Sequence, residues 1–548
     1  MKSSALSQIA LALAAMLAST AAGAAPLDLE TATIGDVQAA FADGSVTSEQ
    51  LVRAYLARID AYDKKGPAIN TVINLNEKAL DLARQLDAER KAGKVRGPLH
   101  GIPIVLKDNY DTFDMPTTAG SWLLKGSIPP SDAFVVKKLR AAGAIVLAKV
   151  NMSEFASGGG SVGGAKDPAV LKAGTVPDGY SSMGGQTHNP HALDHGPSGS
   201  SGGTGASIAA VFAQFGLGTD TASSVRGPSS VNGIFGLKPT TGLLSRNGIV
   251  PLSLTLDTGG PMARSVYDIA VALNVMAGVD PGDPATLKSK GHIEKDYTRF
   301  LKKGALGGAR IGIARDFDGQ DAQVDAVFKQ AVDSLGKLGA TTVDFKYPEF
   351  MIEGRSDAFR TVVQSEFKAQ IADYLKKNTG PAYPKTLDDL VRLANDPGTG
   401  YPSPQKAYAL KYSDEVALDL DDPVYLAAKN QGFAMVKAAV DAVMKKYRLD
   451  AIVYLSSPRA AALIQPAANP HPTSPTATGF NIANMAGYPE FVVPAGMTAD
   501  GLPVSISILG PAFSDGKLLG YGYDFAQATH GLHLPKYTPE LPSDHLGQ

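Results

Sequence analysis

Ile102-Pro103-Ile104-Val105-Leu106-Lys107-Asp108 is an apolar, β-branched run closed by a lysine, and Ala144-Ile145-Val146-Leu147-Ala148-Lys149 repeats the pattern downstream. Both read as buried strands, and Asp132 to Ala142 between them reads as a helix. Farther on, Gly203 to Phe212 has the character of a helix and Phe215 to Asp220 that of another strand. Strands alternating with helices predict an α/β fold, a sheet covered by helices on both faces.

Working outward, Ile34 to Ala92 reads as three helices. Thr47-x-x-Gln50 forms a capping-box start, and Leu51, Ala54, Tyr55 and Ile59 recur at helical spacing. Residues 281 to 308 form a charged connection, followed by strand Ile311 to Ala314, helix Val324 to Leu338 and strand Thr341 to Asp344. Helical segments dominate from about 350 to 447, and strands resume at Ala451 to Val453, Phe491 to Val493 and Val504 to Leu509. The expected organisation is residues 1–24 as a signal peptide and 25–548 as one domain with a helical excursion.

The first 24 residues carry one basic side chain, Lys2, an apolar stretch from Ile9 to Leu17, and small residues ending in Ala22-Gly23-Ala24 before Ala25. That is the pattern of a secretory signal peptide with an Ala-x-Ala cleavage site. The apolar run is too short for comfortable membrane insertion. A periplasmic or secreted location is therefore expected. Without this segment the chain has 50 basic against 53 acidic residues, a net charge of −3 that offers no field for nucleic acid or an anionic membrane. There are no cysteines, so disulfides, thiol catalysis and Cys-ligated metals are excluded.

The candidate chemistry lies at strand ends and in glycine-rich loops, where α/β sheets place their sites. A lysine at the inner end of a buried strand is pushed toward the neutral amine and can serve as a base. Serines suited to such a partner occur in Gly199-Ser200-Ser201-Gly202-Gly203 and in Asp220-Thr221-Ala222-Ser223-Ser224-Val225-Arg226. A serine hydroxyl is a weak nucleophile until a base takes its proton, and a second serine can relay that proton.

These segments, with Gly97 to Pro103, Lys149 to Phe155, His188-Asn189-Pro190, Gly233 to Thr240, Asn484 to Pro489 and Gly501 to Val504, resemble the amidase signature family. The resemblance runs over most of the chain, is densest from Gly97 to Met262, and implies that the sheet is a large mixed, twisted β-sheet. It implies a Ser-Ser-Lys triad of Lys107 as base, Ser200 as bridging serine and Ser224 as nucleophile, 24 residues beyond Ser200. Backbone N–H groups of Thr221, Ala222, Ser223 and Ser224 would form the oxyanion hole. It implies hydrolysis of a carboxamide, with a small-molecule amide as substrate and no cofactor. Two departures stand out: Ala222-Ser223 replaces the family's usual glycine pair, and Ser198 replaces the first glycine of its glycine-serine loop. Asp220 and Arg226 flank the nucleophile loop as a possible charge pair. The Lys107 to Ser200 interval of 93 residues exceeds that of shorter members, and the excess, Ser161 to Tyr180, is expected at the rim of the active site.

Other readings compete. Gly199-x-Ser201-x-Gly203 fits a nucleophile elbow, making Ser201 part of a Ser-His-Asp esterase with a downstream histidine among His292, His471, His530, His533 and His545. Ser-x-x-Lys occurs at Ser334, Ser403 and Ser514 without its companion motifs. The glycine-serine loop could be a phosphate nest with Lys107 as counter-charge. His188, His191 and His195 suggest a metal, but their spacing is not that of a known site. The glutamine-hydrolysing component of a tRNA-dependent amidotransferase shares the Lys149 to Phe155 segment, and export argues against it. Eight aromatics between Phe359 and Tyr425 hint either at a pocket for bulky acyl groups or at packing of the helical excursion.

Overall fold

Eleven strands form one continuous mixed sheet in the computed structural model, which describes residues 26–156, 176–464 and 478–547. The expected signal peptide and most of Ser161 to Tyr180 lie outside these residues. In chain order the strands are β1 Val72–Leu75, β2 Pro103–Lys107, β3 Ile145–Val150, β4 Phe215–Asp220, β5 Phe235–Lys238 and β6 Thr258–Ala263. They continue with β7 Arg310–Ala314, β8 Thr341–Phe345, β9 Ala451–Leu455, β10 Glu490–Met497 and β11 Pro503–Leu509. Across the sheet their order is β8-β7-β9-β11-β10-β5-β6-β4-β2-β3-β1. Antiparallel pairing of β5 with β10, from Lys238–Glu490 to Gly236–Val492, joins the two halves.

The continuous apolar runs have a physical cause. Every residue of β2, β3, β4 and β9 is buried, because helices cover both faces and no position needs to be polar for water. Helix Ile34–Asp43 starts with a capping box at Thr33, and Ser48–Tyr62 starts with the expected one, in which Thr47 and Gln50 exchange hydrogen bonds of 3.1 and 2.8 Å. Helix Ala322–Lys337 buries Val324, Val327, Phe328, Ala331 and Leu335 on one stripe. Among the described residues no helix is long and apolar enough to cross a membrane.

The helical excursion is observed as Glu349–Asn378, Leu387–Ala394, Pro404–Val416, Pro423–Ala427 and Phe433–Tyr447. Its aromatics are largely spent on internal contacts: Phe367 packs on Phe155 at 5.9 Å, Tyr374 donates to Asp111, Tyr401 to Glu154 and Tyr425 to Glu366. The packing explanation of those aromatics is the one these contacts support.

What positions the site is the parallel pairing of β2 with β4, in register from Ile104–Phe215 to Leu106–Leu217. Strands in the same direction end at the same edge of a sheet, so Lys107 arrives beside Thr219 and Asp220. Helix Gly202–Ala209 then packs across the adjacent segment so closely that a Cβ on Gly203 would stand 2.3 Å from the Asn151 carbonyl oxygen.

Candidate active site

Lys107 is fully buried, and its Nζ donates to Ser200 Oγ at 2.7 Å and to Thr219 Oγ1 at 2.8 Å. Burial pushes its pKa from 10.5 down to about 7, against a partial opposing pull from the charges of Asp220 and Asp257. Low dielectric thus favours the neutral amine, which has a lone pair to offer. Asn109 Nδ2 donates to the same Thr219 hydroxyl at 3.0 Å, fixing the far side of the lysine's cradle.

The glycine-serine loop reaches this lysine from the adjoining helix start. Ser200 is fully buried, the Gly199–Ser200 peptide bond is cis, and the Ser200 carbonyl accepts from Ser153 N at 3.0 Å. Ser198 has φ +59°, the left-handed region that glycine occupies without cost. A serine there carries on the order of 1 kcal/mol of strain. Ser201, the elbow candidate, is buried with its Oγ donating to Thr219 O at 3.2 Å and accepting from Thr219 N at 3.3 Å. Its hydroxyl serves the β4 backbone. His292, one proposed partner, is instead stacked on Phe513 at 4.3 Å, and His471 lies outside the described residues.

The loop from Thr221 to Val225 separates its carbonyls from its amides. The carbonyl of Asp220 accepts from Asn484 Nδ2 at 3.2 Å, that of Ala222 from Asn481 N at 2.7 Å, that of Ser223 from Gly227 N at 2.7 Å and that of Ser224 from Ser201 N at 3.2 Å. The N–H groups of residues 221 to 224 have no acceptor among the described residues, whereas Val225 N is taken by Asp220 Oδ2 at 3.0 Å. In a planar trans peptide the carbonyl and the following N–H point in opposite directions, so carbonyls drawn inward turn amides outward. Four unsatisfied donors in a row suit a developing oxyanion. Neither Ala222 nor Ser223 has a positive φ, so the loop accommodates these residues without entering the glycine-favoured region. Ser223 and Ser224 are 9% and 8% exposed, while Ser200 and Lys107 are at 0%. Access therefore exists at the loop and is absent at Ser200 and Lys107.

Asp220 and Arg226 form a buried pair, with Nε to Oδ2 and Nη2 to Oδ1 both at 3.1 Å. Arg226 also binds Glu490, the Ala222 carbonyl and, at 2.6 Å, Asn484 Oδ1. Burial alone would raise the Asp220 pKa, but Arg226 outweighs it and holds the carboxyl down at about 2. Sequence reasoning missed Thr219, Glu490 and Asp257, and gave Asn109 and Asn484 no role beyond membership of matching segments. Asp257 accepts from Thr221 Oγ1 at 2.5 Å and, through its other oxygen, from Leu252 N and Ser253 N at 2.9 and 3.0 Å. Burial raises Asp257 to about 6.

A cavity of about 460 Å³ is lined in part by Pro177, Asp178, Ser198, Arg459 and Phe480; Lys107, Ser200 and residues 221 to 224 are not among its lining residues. Pro177 and Asp178 belong to the stretch expected at the rim. The three histidines considered as metal ligands are each engaged locally: His188 with Leu193 O, His191 with Asn232 O and His195 with Asp194.

The sequence profile of the family described as Amidase matches residues 50–519. A peptide amidase from Stenotrophomonas maltophilia has 36% sequence identity and a TM-score of 0.83, covering 92% of this chain and 99% of that chain. An amidase family protein from Bacillus anthracis has 31% identity and a TM-score of 0.80, covering 93% of each chain. A glutamyl-tRNA(Gln) amidotransferase subunit from Salinispora arenicola is 33% identical over 522 residues, spanning 94% of this chain and 100% of that protein.

Proposed function

The chain belongs to the amidase family, and on that premise we propose that it cleaves linear amides through an acyl-enzyme formed on Ser224, with Ser200 and Lys107 as proton relay. It is an amidase, converting a carboxamide to a carboxylate and ammonia or an amine. The observation that supports the mechanism best is the buried Lys107–Ser200 hydrogen bond of 2.7 Å, one loop away from a partly accessible serine.

In this mechanism Ser224 Oγ attacks the amide carbon as its proton passes to Ser200 Oγ, and the Ser200 proton passes to neutral Lys107 Nζ. Charge developing on the carbonyl oxygen meets the N–H groups of residues 221 to 224; losing one such donor costs about 3 kcal/mol in other hydrolases. The lysine proton returns through Ser200 to the leaving nitrogen, and the C–N bond breaks. Water then attacks the ester by the same relay, releasing the carboxylate and restoring Ser224. Exposure does not separate Ser223 from Ser224; Ser224 is proposed because its 24-residue interval from Ser200 resembles that of the amidase signature family.

Peptide carboxamides are the substrate class that the similarity to a peptide amidase supports. Full-length similarity to the amidotransferase protein makes glutamine the second substrate to test. Export is part of the proposal, resting on the composition of residues 1–24. A panel of peptide, aryl and aliphatic amides plus glutamine, assayed with the purified mature chain, tests it. Turnover of peptide or other linear amides supports the reading, and turnover of glutamine alone overturns it.

A further inference from the structure

Of the five peptide units from Asp220 to Val225, one lacks a carbonyl anchor. The carbonyls of residues 220, 222, 223 and 224 are each held by a neighbouring donor, but that of Thr221 accepts no hydrogen bond among the described residues. This unit carries the Ala222 N–H, one of the four free donors. What fixes it is the Thr221 side chain, whose hydroxyl donates to Asp257 Oδ1 at 2.5 Å.

Asp257 is itself held from behind. Its second oxygen accepts the N–H groups of Leu252 and Ser253, closing the turn Leu252 to Asp257. That turn is gripped by the long excursion helix Glu349–Asn378: Ser253 Oγ and Thr255 N donate to Glu366 Oε2 at 2.7 and 3.1 Å, and Leu254 N to Gln370 Oε1 at 2.7 Å. Tyr425 OH and Lys429 Nζ close on Glu366 Oε1 from another helix of the excursion at 2.9 and 3.0 Å. Burial opposes ionisation of Glu366, but the hydrogen bonds of Thr255, Ser253 and Lys429 win and hold it down at about 2. Thr221, Asp257 and Glu366 are all well buried, so each bond of this chain is shielded from competing water.

We propose that the Thr221 hydroxyl and Asp257 are positioning residues that aim the Ala222 N–H at the reacting carbonyl oxygen, and that the helical excursion sets their position through Glu366. This deepens the mechanism above and rests on it. A donor helps only when it is pre-aimed where charge develops; a loosened one acts on the transition state far more than on ground-state binding. The excursion thereby acts on the rate without touching the relay.

The test compares Thr221→Val, which replaces the hydroxyl by a methyl group of the same shape, with Thr221→Ser, which keeps it, on a turned-over amide. Expected for Thr221→Val is a ten- to hundredfold fall in kcat with KM within about twofold, and a parallel fall in the rate of Ser224 acylation by a fluorophosphonate. Thr221→Ser should recover kcat to within about threefold of wild type. Asp257→Ala should also lower kcat, and adding Thr221→Val to it should cost little more, because both remove the same contact. Should Thr221→Val fail to fold, Glu366→Gln, remote from the reacting atoms, should lower kcat severalfold at constant KM. A kcat within twofold of wild type in folded Thr221→Val or Glu366→Gln, Thr221→Ser as damaged as Thr221→Val, or a loss confined to KM overturns the proposal. Labelling of wild type at a serine other than Ser224 would overturn the parent mechanism instead, independently of these variants.

Discussion

Replacing Lys107 by methionine should make the protein more stable near neutral pH while abolishing its activity. In the unfolded chain this lysine titrates near 10.5, whereas burial in the fold brings it to about 7. Between those values the unfolded state binds a proton that the folded state lacks, so stability rises with pH across the window. At 1.36 kcal/mol per pH unit, the burden on the fold is about 5 kcal/mol below pH 7, about 3 kcal/mol at pH 8, and gone above 10.5. Methionine carries no such burden, but it forgoes the hydrogen bonds to Ser200 and Thr219, worth about 1 kcal/mol each. The net expectation for Lys107→Met is a gain of about 2 kcal/mol at pH 7 that shrinks by about 3 kcal/mol toward pH 10 and changes sign on the way. Denaturant titrations of both proteins at pH 7, 8.5 and 10 measure this difference. A difference independent of pH, or a variant weaker at pH 7 than at pH 10, would refute the view of Lys107 as a buried neutral amine.

The same lysine should set a rising limb of kcat/KM near pH 7, with about a tenth of the plateau rate one pH unit below it, and Lys107→Arg, which cannot deprotonate, should be nearly inactive at every pH. Arg226→Met leaves the buried carboxylates of Asp220 and Glu490 without their counter-charge and unpins the Ala222 carbonyl. It should cost about 3–5 kcal/mol in denaturant titration and lower kcat in whatever remains folded. Protein expressed with its native N-terminus should be found by mass spectrometry to begin at or near Ala25; an intact Met1 on active cytoplasmic protein would remove the case for export.

Much of this fold is legible because burial on both faces leaves an unmistakable mark on a strand. Phe215 to Asp220 matches the observed β4 to the residue, and the runs at 102–107 and 144–149 match β2 and β3 within one or two positions. Strand β5, which joins the halves of the sheet, is hidden in Phe235-Gly236-Leu237-Lys238: it is four residues long, contains a glycine and ends on a buried lysine whose Nζ donates to Tyr488 O. Strand β6, Thr258–Ala263, has two glycines and a proline and reads locally as a loop. The proposed relay residues stand out in the sequence through their motifs. Their supports do not, because Asn484 and Glu490 reach Arg226 across about half the chain and Asp257 meets Thr221 only after β4 and β6 have paired, Asp220 opposite Thr258. Ser198 shows the reverse case: its positive φ explains a position where the family usually has glycine, once the backbone is known.

Covalent labelling bears on the central claim most directly. Mature protein treated with a fluorophosphonate and mapped by tandem mass spectrometry should carry the adduct on Ser224 alone, with Ser224→Ala unlabelled and inactive and Ser223→Ala still labelled. An adduct on Ser201 or Ser223 of the wild-type protein would contradict the account.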